Sequence, residues 1–461
     1  MQKGRNMEGK IIKILIFFSL ISSNLIAVEK YPLDVEHDSI YAHFVDQKDI
    51  NNDGIDDFII GTGIDTRKQI GVEGNKVKAK DFARLQGNPP VLFLSNGNSF
   101  DQYPFPKNSQ SIRSWAGKIF KHNDVWLFYW GRNGEVGIST ENIGEKSQLW
   151  KIETSPAVSF ELIYESEFPT VTADVQVEDI NGDGDIEILE NNYNGIRPEW
   201  GPDQKHYQSR ILTIFSKSLM VDTWQPKREE FLPYLKKRLA HNTYRVRDIN
   251  HDGNLDLLVS TEKYTGKYWS GSPNYALMDF VHRNKPLELD WTIYGENAAS
   301  SYFDVWRVQD RTLLLSTYTD KVENGPYLEF EKGLFQVHEL TSNNETKLIY
   351  SNELGKMGLG NKANLWMQLS PFDMDDDGIE EMYFESYSSG GMRYLKYENG
   401  EIAVKKAKTK VSSVFHSADS KGELVLVRYP QESCYRALSV PNIMWEQSQI
   451  PKILVSDCIK F

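Results

Sequence analysis

The chain has few features that would place it in a common functional class. Its two cysteines lie far from any His pair, which excludes a zinc site of the usual spacing. The 65 acidic and 52 basic residues give a formal charge of −13, which argues against a nucleic-acid partner, because phosphate binding needs a basic surface. The chain also lacks a Gly-x-Ser-x-Gly elbow, a His-Glu-x-x-His helix and a Gly-Lys-Ser/Thr phosphate loop.

Linkers and long apolar runs are absent after residue 27. No Gly-, Ser- or Pro-rich stretch interrupts residues 28–461, and no apolar run there is long enough to span a membrane. These absences predict a single domain over residues 28–461 with no integral membrane segment.

The first 27 residues have the order of a secretory signal peptide. A basic part with Lys3, Arg5, Lys10 and Lys13 precedes the apolar run Ile14–Ile21 and the small, polar segment Ser22–Ala27. We therefore predict a signal peptide at residues 1–27 and a secreted or periplasmic location. An uncleaved signal anchor is the alternative.

Export would place both cysteines, Cys434 and Cys458, in an oxidising compartment. A disulfide between them would close a loop of about 25 residues and stabilise the fold by roughly 3 kcal/mol. Two buried free thiols are the alternative.

Four nine-residue segments share one pattern, with oxygen-bearing side chains at positions 1, 3, 5 and 9 and glycine at position 6. A hard cation such as Ca²⁺ binds six to eight oxygens, and this spacing wraps carboxylate and amide oxygens around one point, with the backbone carbonyl of position 7 as a further ligand. The sequence therefore predicts up to four structural calcium sites. Their ligands at positions 1, 3, 5, 7 and 9 are Asp49, Asn51, Asp53, Ile55 and Asp57; Asp179, Asn181, Asp183, Asp185 and Glu187; Asp248, Asn250, Asp252, Asn254 and Asp256; and Asp373, Asp375, Asp377, Ile379 and Glu381.

The residues that flank these segments exclude an EF-hand. An EF-hand needs a Glu at position 12 and a helix on each side, whereas three of the four segments have Ile60, Val259 or Phe384 at position 12. Each segment is followed by a β-branched, aliphatic or aromatic run, which indicates a strand. The four segments contain 17 Asp and Glu residues, more than the whole net charge of the chain. The acidity of the protein is thus concentrated where cations would neutralise it.

The spacing of the segments predicts a repeat. Their first residues are 130, 69 and 125 positions apart, which fits two, one and two copies of a unit of about 64 residues. Seven strand-like runs follow this period: Phe58–Ile60, Val125–Tyr129, Ile186–Leu189, Leu257–Val259, Leu313–Leu315, Met382–Phe384 and Leu424–Val427. Seven units of this length favour an all-β fold, a seven-bladed β-propeller with calcium loops in four blades. An elongated stack of calcium-bound β-units is the alternative.

The four segments and the strands that follow them resemble the FG-GAP/VCBS class of calcium-binding repeats, found in the integrin α-subunit propeller and in many secreted bacterial proteins. The Phe-Gly and Gly-Ala-Pro signatures are missing, so the chain is similar to VCBS repeats rather than to integrin repeats. The resemblance implies calcium bound at positions 1, 3, 5 and 9 of each copy. It does not imply an activity, since propellers support many functions.

The turns opposite the calcium loops carry the candidate ligand-binding residues. Aromatic rings with Arg and Lys suit sugars, and the same residue types dominate protein interfaces. The candidates are Arg197 and Trp200 in the turn 191–207, Tyr264, Tyr268 and Trp269 in the turn 262–275, and Tyr387 and Arg393; Tyr318 and Lys321 are expected in a shorter turn.

These features lead to three functional hypotheses. The first is a secreted, calcium-stabilised module that binds a carbohydrate or an extracellular protein, as a monomer or as part of an extracellular assembly. The second is a polysaccharide lyase or glycoside hydrolase with its site on the face opposite the calcium loops, although no catalytic residue can be named. The third is a purely structural subunit of an extracellular assembly.

Overall fold

The fold consists of β-strands and short connections. The computed structural model describes residues 40–64, 71, 85, 87–96, 100–112, 114, 116–133, 145–166, 169, 172–179, 182, 184–192, 210–214, 220–223, 239–264, 269–271, 275–278, 287–290, 298–324, 327–343, 345–357, 368–372, 379–385, 393–406, 413–415, 424–428 and 435–439. In these ranges there is one 3-10 turn, at Lys107–Ser109, and no α-helix. Accordingly, no helix there is long and apolar enough to cross a membrane. The predicted all-β class is confirmed.

Seven antiparallel sheets are formed by the described strands. Sheet one contains β1 (Ile40–Lys48), β2 (Asp57–Ile64), β3 (Val91–Ser95) and β4 (Phe100–Pro104). Sheet two contains β5 (Ala116–His122), β6 (Val125–Gly131), β7 (Gln148–Glu153) and β8 (Ser159–Glu165). Sheet three contains β9 (Thr172–Glu178), β10 (Ile186–Asn192), β11 (Arg210–Ile214) and β12 (Met220–Thr223).

The other four sheets follow in chain order. Sheet four contains β13 (Leu239–Arg247), β14 (Asp256–Tyr264), β15 (Trp269–Gly271), β16 (Tyr275–Met278) and β17 (Leu287–Asp290). Sheet five contains β18 (Ala298–Val308), β19 (Arg311–Asn324), β20 (Tyr327–Leu340) and β21 (Thr346–Glu353). Sheet six contains β22 (Gln368–Phe372), β23 (Glu381–Glu385), β24 (Arg393–Glu398) and β25 (Glu401–Lys406), and sheet seven contains β26 (Ser413–Phe415), β27 (Leu424–Arg428) and β28 (Tyr435–Ser439).

Each of the seven apolar runs found in the sequence lies in the second strand of a different sheet. The run on β6, the second strand of sheet two, is continuously apolar because that strand is buried on both faces. On β6, Leu127 and Tyr129 pack with residues of sheet three, whereas Phe128 and Trp130 pack with residues of sheet one. Successive side chains of a strand point to opposite faces, so both faces must be apolar.

Neighbouring sheets contact one another in chain order. The first strands contact one another in the series β1, β5, β9, β13, β18 and β22, and β23 of sheet six contacts β26 of sheet seven. The same strands carry an ion-pair chain, in which Arg245 on β13 binds Asp174 on β9 and places its Nε 3.1 Å from Asp304 on β18. Apolar clusters thus join sheets one to three and sheets four to six, the Arg245 ion pairs join sheets three to five, and β23 meets β26 between sheets six and seven.

The meander order gives each sheet two distinct ends. The connection from the first to the second strand leaves at one end, which we call the loop end, and the connection from the second to the third strand leaves at the opposite end, the turn end. The first and third of the predicted calcium loops lie at the loop ends of sheets one and four.

Two turns contain fewer residues in the structure than the sequence predicts. Tyr318 and Lys321 belong to β19, a 14-residue strand that pairs with β20 as far as Asn324. Similarly, Tyr264 and Trp269 lie opposite each other in the β14–β15 hairpin rather than in an open turn. Cross-strand pairing therefore continues through residues that the sequence assigns to turns.

Candidate functional site

The first loop, residues 49–57, curls around its own first side chain. Oδ1 of Asp49 accepts the backbone N–H of Asp53 at 3.1 Å, and Oδ2 accepts the N–H of Gly54 at 3.0 Å. Asn51 Oδ1 accepts the same N–H of Asp53 at 3.0 Å, and Asp53 Oδ1 accepts the N–H of Ile55 at 2.9 Å. The side chains at positions 1, 3 and 5 thus shape one compact turn, in which Asp53 is exposed to solvent.

The third loop, residues 248–256, repeats these contacts. The Asp248 carboxylate accepts the N–H groups of Asp252 at 3.2 Å and Gly253 at 3.1 Å. Asn250 Oδ1 accepts the N–H of Asp252 at 3.2 Å, and Asp252 Oδ1 accepts the N–H of Asn254 at 2.9 Å. Two segments 199 positions apart therefore fold in the same way because they share the same spacing of oxygen side chains.

Two positions in each described loop have a left-handed backbone. Glycine at position 6 has φ of +86°, +88° and +86° in Gly54, Gly184 and Gly253. Position 4 is left-handed as well, with φ of 59° at Asn52 and 61° at His251. The sequence analysis missed position 4, although its residue types gave a signal, since Asn and His are enriched among non-glycine residues with positive φ.

The second and fourth loops are described in part. Asp179 accepts the N–H groups of Gly182 at 2.8 Å and Gly184 at 2.9 Å, and Asp185 follows at position 7. In the fourth loop only Ile379 and the two residues after it are described. The predicted ligands Asn181, Asp183, Asp373, Asp375 and Asp377 lie outside the described residues.

The position-nine carboxylates are buried. Asp57 and Asp256 are 0% exposed, and Glu187 and Glu381 are also buried. Burial raises the pKa of Asp57 to about 7, although hydrogen bonds from Ser95, Ile50 and Asn51 oppose the shift. Position 9 therefore differs from positions 1, 3 and 5 in its environment.

The donor set of the first and third loops fits a hard cation. Asp49, Asn51 and Asp53, like Asp248, Asn250 and Asp252, offer carboxylate and amide oxygens, and neither trio contains a sulfur or imidazole donor. Among the described residues, no three His, Cys, Asp or Glu side chains converge as a metal-holding group. Each trio contains two carboxylates, and its remaining oxygen donor is the amide of the asparagine at position 3.

A buried polar network lies near the turn ends of sheets two and three. The Glu190 carboxylate is 0% exposed and accepts hydrogen bonds from Tyr129 Oη and from Thr172 Oγ1, the latter at 3.1 Å. Asn133 Nδ2 donates to the Thr172 carbonyl at 2.8 Å, and Arg132 donates to backbone carbonyls and lies 3.5 Å from Glu145. These groups are engaged with one another, so the network joins the two sheets.

The candidate ligand-binding residues are described unevenly. Arg393 is half-buried at the start of β24, and the backbones of Tyr264 and Trp269 are paired as stated above. Arg197, Trp200, Tyr268 and Tyr387 lie outside the described residues, as do the signal-peptide residues 1–27 and both cysteines, Cys434 and Cys458.

One buried histidine was not identified from the sequence. His338 on β20 is 1% exposed, lies opposite Leu314 on β19, and has no hydrogen-bond partner for either ring nitrogen among the described residues. Burial lowers its pKa to about 4. The Oγ of the buried Ser316, two residues along β19 from Leu314, is also without a partner there.

No family model matches the chain, and no curated protein matches it. Similar solved structures include the Bombyx mori GH32 beta-fructofuranosidase BmSUC1, at 11% identity and a TM-score of 0.33 over 65% of each chain, so this chain spans less than two thirds of that enzyme. The Dos1 propeller is 8% identical, with a TM-score of 0.42 over 84% of this chain and 93% of that one. Polysaccharide lyase Uly1 is 11% identical, with a TM-score of 0.41 over 75% and 81% of the two chains. Values this low do not establish a shared activity.

Proposed function

We propose that the chain is an exported, calcium-stabilised β-propeller of seven blades that binds a carbohydrate or an extracellular protein at the turn ends of its sheets. The observation that carries the proposal is the shared geometry of the first and third loops, in which the oxygens of positions 1, 3 and 5 form one turn beside a left-handed glycine. The series of contacts between successive sheets supports a ring of blades.

Calcium would be structural. In the first loop Asp49, Asn51, Asp53 and the carbonyl of Ile55 would hold it, and the corresponding residues would do so in the other loops. A bound Ca²⁺ supplies positive charge that neutralises the carboxylates. The chain's own part is to hold these oxygens close together through the backbone N–H groups described above, so the loop is preorganised for the ion.

The ligand-binding part of the proposal rests on the composition of the turns. Tyr264 and Trp269, paired in a hairpin at the turn end of sheet four, are an aromatic pair of the type that contacts sugars and protein partners. A polysaccharide-degrading enzyme using the same face is the alternative that the test must separate.

The calcium part is tested with two matched aspartates at neighbouring hairpins. Asp252→Ala removes a loop oxygen in sheet four, whereas Asp310→Ala removes an exposed aspartate from the short β18–β19 turn of sheet five. We expect Asp252→Ala to bind one calcium fewer by isothermal titration and to melt earlier in calcium than the wild-type chain. Asp310→Ala should match the wild type in both measurements. Equal stoichiometry and equal Tm for Asp252→Ala would contradict the calcium assignment.

The ligand part is tested by incubating the purified chain with a polysaccharide panel, in calcium and in chelator, and measuring retention and glycan chain length. Retained glycan of unchanged length, released by chelation, would support the binding module. Shortened glycan would replace it with the enzyme. Absence of both effects would reject carbohydrate as the ligand and leave an extracellular protein.

A further inference from the structure

The nine-residue loops divide into an exposed part and a buried part. In the first and third loops, Asp53 and Asp252 at position 5 are exposed, whereas Asp57 and Asp256 at position 9 are completely buried. A cation held by the exposed oxygens would lie at the solvent side of the loop. The position-nine carboxylate is instead buried at the start of the following strand.

Both oxygens of Asp57 are occupied by backbone donors. Oδ2 accepts the N–H groups of Ile50 at 2.8 Å and Asn51 at 3.2 Å, which are positions 2 and 3 of the same loop. Oδ1 accepts the N–H of Ser95 at 2.6 Å, at the end of β3. Backbone N–H groups that point at a carboxylate favour its charged form, so these three hydrogen bonds offset part of the cost of burying Asp57. Asp49 also accepts two backbone N–H groups, so Asp57 is set apart by its complete burial and by its bond to the end of β3.

The third loop repeats the contact with position 2, since Asp256 Oδ2 accepts the N–H of Ile249 at 2.9 Å. Ile249 occupies position 2, as Ile50 does in the first loop. The same donor position therefore binds the position-nine carboxylate in both loops.

The fourth loop satisfies its position-nine carboxylate with a protein cation. Glu381 is 1% exposed, and its Oε1 lies 2.8 Å from Nζ of Lys396, which is mostly buried on β24. Lys396 lies on the third strand of its sheet, as Ser95 does in sheet one. In both sheets the position-nine carboxylate thus links the loop to the third strand, and in sheet six its charge is already balanced.

Where the loop is replaced by a two-residue turn, the position-nine carboxylate is absent too. The first paired residue of the second strand is Val125 in sheet two and Arg311 in sheet five. These short turns lack position 2, whose N–H donates to the position-nine carboxylate in the first and third loops. The carboxylate therefore accompanies the long loop that it fastens.

We infer that in the first, third and fourth loops position 9 is a positioning residue, which fastens the loop to the sheet, and that the cation of the first and third loops is held by positions 1, 3, 5 and 7 with water completing its shell. The identity of the cation rests on the proposed function. The fastening does not, because every contact cited for it is made within the protein.

The test compares Asp57→Asn with Asp53→Asn in the same loop. The Asp57→Asn variant would keep the shape of the side chain but lose one acceptor, so we expect a lower Tm in chelator and an unchanged number of bound calcium ions by native mass spectrometry. Asp53→Asn should keep the wild-type Tm in chelator and raise the calcium Kd of one site at least tenfold. Glu381→Gln, whose amide oxygen can still accept from Lys396, should likewise retain the wild-type stoichiometry.

Loss of one calcium ion in Asp57→Asn, with the wild-type Tm in chelator, would overturn the inference. A wild-type chain that binds no calcium would reject the proposed function, yet a lower Tm of Asp57→Asn in chelator would still support the fastening role. A Tm unchanged in chelator would then reject that role as well. The two failures are therefore distinguishable.

Discussion

Sheets four and five close the same hairpin in two different ways. In sheet four, residues 248–255 lie between the paired residues Arg247 and Asp256. In sheet five, Gln309 and Asp310 alone lie between Val308 and Arg311, and Gln309 takes up a φ of 58°. Sheet two resembles sheet five, since Asn123 and Asp124 close its hairpin with φ of 48° and 62°.

This comparison shows that strand pairing does not require the long loop. A two-residue turn with positive φ suffices, because its twist matches that of the strands. Sheet five is secured instead by side chains: Arg311 Nε lies 2.7 Å from Glu339, and its guanidinium is 5.1 Å from the Tyr397 ring of sheet six. The long loops gather acidic oxygens at solvent without being needed for the hairpin, which is the reason for assigning them a cation.

Removal of calcium should produce the largest difference between the hairpins with long loops and the hairpins with two-residue turns. Each site should contribute about 3 kcal/mol to the free energy of unfolding at a calcium concentration 100-fold above Kd. We expect chelation to speed amide hydrogen exchange at the β1–β2 and β13–β14 junctions and to leave the β5–β6 and β18–β19 junctions unchanged. Equal acceleration at all four junctions would mean that the loops are not the calcium-dependent elements.

The two kinds of hairpin, with a long loop or a two-residue turn, also show what the sequence could predict. Glycine at position 6 and the runs at Phe58 and Leu257 identified the loops and their strands, because both patterns are local. The burial of Asp57 could not be read from spacing, since the direction of its side chain depends on Ser95, 38 positions away. His338 was missed for a similar reason, because its cross-strand neighbour Leu314 packs with Ile249 and Leu258 of sheet four, which spacing along the chain does not reveal.

Acidification should act on sheet five through His338 and, with the opposite sign, on the first loop through Asp57, whose raised pKa makes the folded chain bind more protons below pH 7. Because burial lowers the pKa of His338 from 6.5 to about 4, the unfolded chain binds more protons than the folded chain between these values. The contribution of His338 to the free energy of unfolding should therefore fall as the pH is lowered through this window, by about 3 kcal/mol at most, and the comparison with a variant that lacks only this histidine separates it from the opposite contribution of Asp57. Denaturant unfolding in chelator would measure it. His338→Leu should remove this part of the pH dependence, and an identical slope in both proteins would contradict the assignment.

Two glycines with the same left-handed backbone test whether position 6 of the loop supports cation binding. Gly253 in the third loop and Gly400 in the β24–β25 turn have φ of +86° and +84°, and a Cβ would meet no atom within 4 Å at either position. Alanine should therefore cost about 1 kcal/mol at each site through backbone strain alone. For Gly400→Ala the cost should be equal in calcium and in chelator. For Gly253→Ala it should be larger in calcium, because the loop loses affinity for the ion, and equal costs would show that position 6 does not support binding.

The smallest expected effect lies in the turn of sheet two. Asp124 has a φ of 62°, a conformation that glycine adopts without strain, so Asp124→Gly should raise the free energy of unfolding by about 0.5 kcal/mol. The variant also removes an ion pair between Lys121 and Asp124, but that pair contributes little because the Asp124 side chain is 97% exposed. The gain should be the same in calcium and in chelator, as measured by denaturant unfolding. A gain seen in calcium alone would mean that this junction, too, responds to the cation, and the distinction between the two kinds of hairpin would fail.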